Sequence, residues 1–122
     1  TKKTIGIQLY TIREMVDKDF EGTLKILAQI GYNSVEAAGY GNRRFYNYEP
    51  YDYQRICNDN GILPLSSHSG ISLDNADAVI EDTAMAGMSY LVLPSIPKEK
   101  RQTLDDYIRI ADEFNQIGEP CF

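Results

Sequence analysis

Four glycines divide this chain into units of one kind. Gly31, Gly61, Gly87 and Gly118 each follow a stretch with apolar residues at helical spacing. In "DFEGTLKILAQIG", Leu24, Leu27, Ala28 and Ile30 share one helical face, Asp19 is placed to cap the first turn, and Gly31 suits the left-handed position that ends many helices. The same grammar recurs in "YEPYDYQRICNDNG", "DNADAVIEDTAMAG" and "TLDDYIRIADEFNQIG". Around these helices lie "TIGIQLY" (4–10), "SVEAAG" (34–39), "LPLSSH" (63–68) and "YLVLPSI" (90–96). These runs are strand-length and bounded by Gly, Pro, Asn or Ser, as strands buried in a parallel sheet are.

The order is therefore β-α four times over, repeating every thirty residues or so, and such alternation requires a parallel sheet with helical crossovers. A doubly wound sheet and a barrel both satisfy it. A doubly wound nucleotide site needs an anion-binding glycine loop after strand one, and "YTIREMVDKD" has no glycine. Polar or bulky residues instead mark the C-terminal end of every strand: Gln8 and Tyr10, Glu36, His68 and Ser95. That distribution suits a TIM barrel, whose sites form from the C-terminal ends of many strands. The expected fold class is α/β, a (βα)4 half of a TIM barrel with parallel strands alternating with helices. It forms one domain over 1–122 with units at about 4–31, 34–61, 63–87 and 90–118. After Gly118 only "EPCF" follows where a fifth strand is due, so we expect the chain to be the first half of an eight-unit barrel.

Composition removes several classes of function. The net charge of -6 and a pI near 4.7 disfavour nucleic acid and anionic membrane as partners. No apolar run approaches the roughly 20 residues that span a bilayer. Two cysteines, Cys57 and Cys121, are too few and too scattered for a disulfide scaffold or a zinc knuckle, so a cytoplasmic protein with free thiols is expected.

At this point the residues resemble a family. "IGIQLYTIREMVDKDFEGTLKILAQIGYNSVEAAGY", then "SSHSGIS" and "LVLPSI", resemble the N-terminal half of the sugar phosphate isomerase/epimerase family of xylose-isomerase-like TIM barrels. The similarity spans essentially the whole chain, and its most specific piece is strand one running into the first long helix. The resemblance implies aldose–ketose isomerisation or epimerisation next to a carbonyl, on a small-molecule sugar or polyol. It also implies a divalent metal (Mn, Mg, Zn or Co) in the full-length protein. In that family the metal is held by two Glu, an Asp and a His on strands five to eight, where the catalytic acid–base pair largely lies too. This chain is therefore expected to hold no metal ligand and no catalytic residue, to supply substrate contacts, and to be inactive alone.

Within that frame the candidate substrate-binding residues are Gln8, Tyr10, Glu36, His68 and Ser95. His68, the only histidine, stands at the end of the third strand, where an imidazole can bond a sugar hydroxyl or move a proton near neutral pH. The alternative is a rim histidine bonded to neighbouring backbone, and with no opposite wall an exposed ring is expected. Glu36 can bind a hydroxyl or orient a basic group; equally, it can form a salt bridge to Arg13 or to an arginine of "NRR". Period two places Gln8 and Tyr10 on one face, although Tyr10 can also be a packing aromatic.

Three further stretches carry alternatives. "YGNRRFYNYEPYDY" interleaves tyrosines with arginines; it suits a loop covering a sugar better than the DNA contact of an endonuclease IV-like relative, given the net charge. "DNADAVIEDTAMAG" reads as a solvated helix face with Ala76, Val79, Ile80 and Met85 buried; Asp74, Asp77 and Glu81 lack the pattern of a calcium loop. Lys98, Lys100 and Arg101 form either a phosphate-attracting cluster or a hydrophilic loop. Finally, a four-stranded sheet with two open edges exposes unpaired backbone, so a self-associating half-barrel, a homo-oligomer through those edges, is the non-enzymatic alternative.

Overall fold

The computed structural model describes residues 2–121. Four parallel strands, β1 (Gly6–Gln8), β2 (Ser34–Ala37), β5 (Leu63–His68) and β6 (Tyr90–Val92), form one sheet whose spatial order is the chain order. A doubly wound sheet reverses its order at a switch point, and this one does not, so the arrangement is that of half a TIM barrel. The connecting helices are α1 (Arg13–Lys18), α2 (Phe20–Ile30), α3 (Pro50–Asp59), α4 (Ala76–Met85) and α5 (Leu104–Gly118).

Local chemistry explains the helix ends. Asp19 caps α2 by accepting a bond from Gly22 N at 3.0 Å, and Thr103 caps α5 in a reciprocal box with Asp106. Gly31, Gly61 and Gly87 adopt φ of +119°, +69° and +74°, the left-handed conformation that a β-carbon disfavours. Gly118 does not: it stays helical and α5 runs on into a 3-10 turn, so the fourth glycine is no stop signal.

The core lies between the sheet and helices α2 and α3. Leu24 and Leu27 of α2 meet Val35 of β2, and Ile56 and Cys57 of α3 join them beside Ile62; all are buried. Each such side chain contributes roughly 2 kcal/mol by leaving water. Ile30 is 68% exposed and Met85 50% exposed, contrary to the helical-face expectation, and the buried side of α4 is completed by Thr83 and Asp82. Helix α5 buries Ile117 but leaves Leu104, Tyr107 and Ile108 exposed.

The stretch after β2 differs most from expectation. It forms a two-stranded hairpin, β3 (Tyr40–Gly41) with β4 (Arg44–Phe45), followed by a bridge from Phe45 to Tyr48. Both turns have two central residues at positive φ, Asn42–Arg43 and then Tyr46–Asn47, the left-handed pattern that matches the twist of paired strands. Phe45 and Tyr53 are fully buried, and Phe20 packs against Tyr46, Tyr48 and Tyr53 with ring centroids 5.1–5.8 Å apart. Phe45 and Tyr53 thus belong to the core, Tyr40, Tyr46 and Tyr48 pack against it partly buried, and Tyr51 is exposed.

Candidate functional site

The sheet places four polar side chains in one group at the C-terminal ends of its first three strands. Gln8 stands opposite Glu36, and Glu36 opposite Ser66. The register between β2 and β5 slips by one residue between Val35 and Glu36: Val35 pairs with Pro64, Glu36 with Ser66. Because side chains alternate with period two, that slip turns Ser66 and His68 to the face of Glu36, where an unslipped strand presents Leu65.

Glu36 is the hub. Its Oε1 accepts from Gln8 Nε2 at 2.7 Å and lies 3.1 Å from His68 Nε2, while Oε2 accepts from Ser66 Oγ at 2.6 Å. Gln8 Nε2 also lies 3.0 Å from His68 Nδ1. An imidazole with its proton on Nε2 satisfies both contacts, donating to Glu36 and accepting from Gln8. The side chains of His68 and Glu36 are 31% and 24% exposed. The ring is therefore not freely exposed, and its partners are side chains rather than backbone. Neither Arg13 nor the "NRR" arginines reach Glu36: Arg43 pairs with Glu81 and Asp82, and Arg44 with Glu49.

Two of the expected contacts do not join this group. β1 ends at Gln8, and Leu9–Ile12 winds into a 3-10 turn, so the alternation that was to align Tyr10 with Gln8 is broken. Tyr10 instead stands 56% exposed, with the Arg13 guanidinium 4.4 Å from its ring centre and bonded to its carbonyl at 3.0 Å. Ser95 lies beyond the end of β6, exposed, with no bond to the group. Ser66 was missed, although its position two residues before His68 puts it on the same face of β5.

Gln8 and His68 of this group line a cavity of about 270 Å³ together with Tyr10, Ala38 and Pro94. Beside it a larger cleft of about 830 Å³ runs between the Leu9–Lys18 segment and the hairpin loop, sharing Tyr10 and Ala38 with the smaller one. The hairpin is held by Asp82, which accepts from Tyr40 Oη at 2.7 Å and from Arg43 at 2.7 and 3.0 Å. Burial by itself raises the Asp82 carboxyl, but the bonds from Arg43 and Tyr40 outweigh it and hold it below the usual aspartate range. The Tyr40 hydroxyl is pushed up to about 12 by burial and by that carboxylate.

Chemically, a half-buried carboxylate flanked by an amide, a hydroxyl and an imidazole can bind neighbouring hydroxyls of a polyol as acceptor and donor in turn. The residues do not fit a metal centre: one His and one Glu are too few, and no group of three metal-ligating side chains occurs among the described residues. Nor is any described helix long and apolar enough to cross a membrane.

Comparison with known proteins agrees with the fold. No family model matches the sequence, and no curated protein does. Among solved structures, the chain is similar to a sugar phosphate isomerase/epimerase from Parabacteroides distasonis, with 27% identity and a TM-score of 0.84 over 99% of this chain and 48% of that one. A second sugar phosphate isomerase/epimerase of that organism superposes with a TM-score of 0.75 at 24% identity, covering 98% of this chain and 50% of that one. A xylose isomerase domain containing protein from Salmonella typhimurium gives 0.58 at 13% identity, covering 96% and 48%. The chain thus spans about half the length of these structures and resembles one half of xylose-isomerase-like TIM barrels along nearly its whole length.

Proposed function

We propose that this chain forms one wall of the active site of a sugar or sugar phosphate isomerase/epimerase, in which the intact protein moves a proton at a carbon next to a carbonyl. The observation that carries the reading is the convergence of Gln8, Ser66 and His68 on Glu36 at the strand ends where barrel sites form. The similarity to the Parabacteroides structure supports the family. Here Glu36 accepts a substrate hydroxyl, His68 and Gln8 fix its direction, and Ser66 keeps the carboxylate aimed. The acid–base pair, and the ligands of any divalent metal, come from the other wall, so this stretch alone is inactive.

The test is solvent deuterium incorporation next to the carbonyl, followed by NMR, with the intact protein and a panel of aldoses, ketoses and their phosphates. Exchange with at least one sugar is expected, and Glu36→Gln should raise KM roughly tenfold, the worth of one charged hydrogen bond. Absence of exchange and of binding across the panel would sink the reading.

A second reading, self-association, is favoured by the unpaired outer edges of β1 and β6 and by the exposed Ile5 and Tyr90 beside them. Light scattering of the 122-residue chain over a concentration series should show mass rising with concentration. A constant monomer mass would refute it.

A further inference from the structure

Resting on the proposed sugar site, we infer that the 830 Å³ cleft is a second subsite, which takes a neutral, ring-shaped substituent on the reacting sugar rather than a phosphate. The two cavities differ in scale. The inner one, near 270 Å³, lies just below the ~300–1,000 Å³ range of small-molecule sites and the outer one lies towards its top. They share the wall made by Tyr10 and Ala38, so a ligand seated on the Glu36 group extends past Tyr10 into the larger cleft.

The cleft's lining specifies the chemistry of that extension. Tyr10, Tyr46 and Tyr48 offer aromatic surface, against which the apolar face of a ring packs. Asn42 and Asn47 add amides able to donate and accept. Charge is balanced: Arg13 is offset by Asp17, and the Arg13 guanidinium already lies over Tyr10 and bonds its carbonyl. The arginines of the hairpin, Arg43 and Arg44, are committed to Glu81, Asp82 and Glu49. A phosphate therefore finds a single cation in the lining, Arg13, and its charge is offset by the carboxylate of Asp17.

The wall is also built to hold its shape. Asn42, Arg43, Tyr46 and Asn47 all sit at positive φ, a costly conformation for non-glycine residues that persists only where surroundings enforce it. The enforcement is visible: Asp82 fixes Arg43, and the Tyr46 hydroxyl accepts from Ala38 N at 2.8 Å. A pre-formed cleft of this kind spares the ordering cost of binding.

Calorimetric titration of the intact protein tests this, using for each of several aldoses and ketoses the free sugar, its phosphate ester, and forms carrying a methyl, phenyl or glucosyl group on a hydroxyl away from the anomeric carbon, which leaves the carbonyl free. The phenyl and glucosyl forms are expected to bind about tenfold tighter than the methyl form, the gain of one aromatic face plus the area it covers. Tyr10→Ala should abolish that gain. Asn47→Gly, which suits the backbone at φ +68°, should weaken only the glucosyl form and so separates a sugar ring from an aryl group as the natural occupant. Equal affinity for methyl, phenyl and glucosyl forms, or preference for the phosphate ester, overturns the subsite while leaving the isomerase reading intact. Failure of every sugar to bind overturns both.

Discussion

His68 Nε2 lies 3.1 Å from Glu36 Oε1, across two neighbouring parallel strands. The contact joins the chain's one imidazole to a carboxylate that already receives Gln8 and Ser66, so the site's polar groups satisfy one another in the absence of ligand. A sugar hydroxyl entering there replaces bonds of equal kind rather than desolvating bare groups, which keeps the exchange inexpensive.

That relationship separates stability from binding. Glu36→Gln keeps the shape and one acceptor oxygen, so the unfolding free energy should fall by no more than about 1 kcal/mol in urea titration. Sugar affinity in the intact protein should fall roughly tenfold, about 1.4 kcal/mol, the larger of the two effects. Equal losses in both would make Glu36 a structural residue.

The hairpin depends on a glycine. A β-carbon at Gly39 meets the Tyr46 ring at 2.5–2.9 Å, whereas one at Gly41 meets nothing within 4 Å. Gly39→Ala should therefore cost about 1–3 kcal/mol, as overpacking does. Gly41→Ala should stay within about 0.5 kcal/mol. Chemical denaturation of the two variants checks the contrast.

Acid should release the anchor of the hairpin. The Asp82 carboxyl titrates below its unfolded value near 3.8, so its stabilisation is complete above that value and is lost as pH falls through the folded one. Unfolding measured from pH 6 to pH 2 should show this loss in the native protein and a shallower slope in Asp82→Asn. Because the Asp82 side chain is only 4% exposed, Asp82→Ala should also cost about 2 kcal/mol at neutral pH by stripping Tyr40 and Arg43 of their acceptor.

Alkali should act on the tyrosines. Burial, first of all, pushes the Tyr40 and Tyr46 hydroxyls up to about 12. A raised folded value means that the stabilisation is whole below pH 10 and disappears between about 10 and 12. Tyrosinate absorbance should accordingly go on rising above pH 10, and that late rise should coincide with loss of helical circular dichroism.

Much of the architecture was legible in the sequence because it is governed by local rules. Period-two runs, helical faces, the Asp19 cap and three left-handed glycines each act within a few residues, and their repetition leaves a parallel sheet as the only way to bury the apolar faces. The positions of Glu36 and His68 followed, since their strands begin where the sequence placed them, at Ser34 and Leu63. Tertiary structure decided the rest. The one-residue slip between β2 and β5 brought Ser66 to Glu36, and register is set by packing across strands, which no single strand encodes. The turn after Gln8 carried Tyr10 out of the strand and onto the wall between the two cavities, and Tyr46 and Tyr48 lie partly buried against the core because Phe20, far off in sequence, offered them a surface. Sequence fixes which residues are polar or apolar in each unit; only the packing of units against one another determines which of them meet.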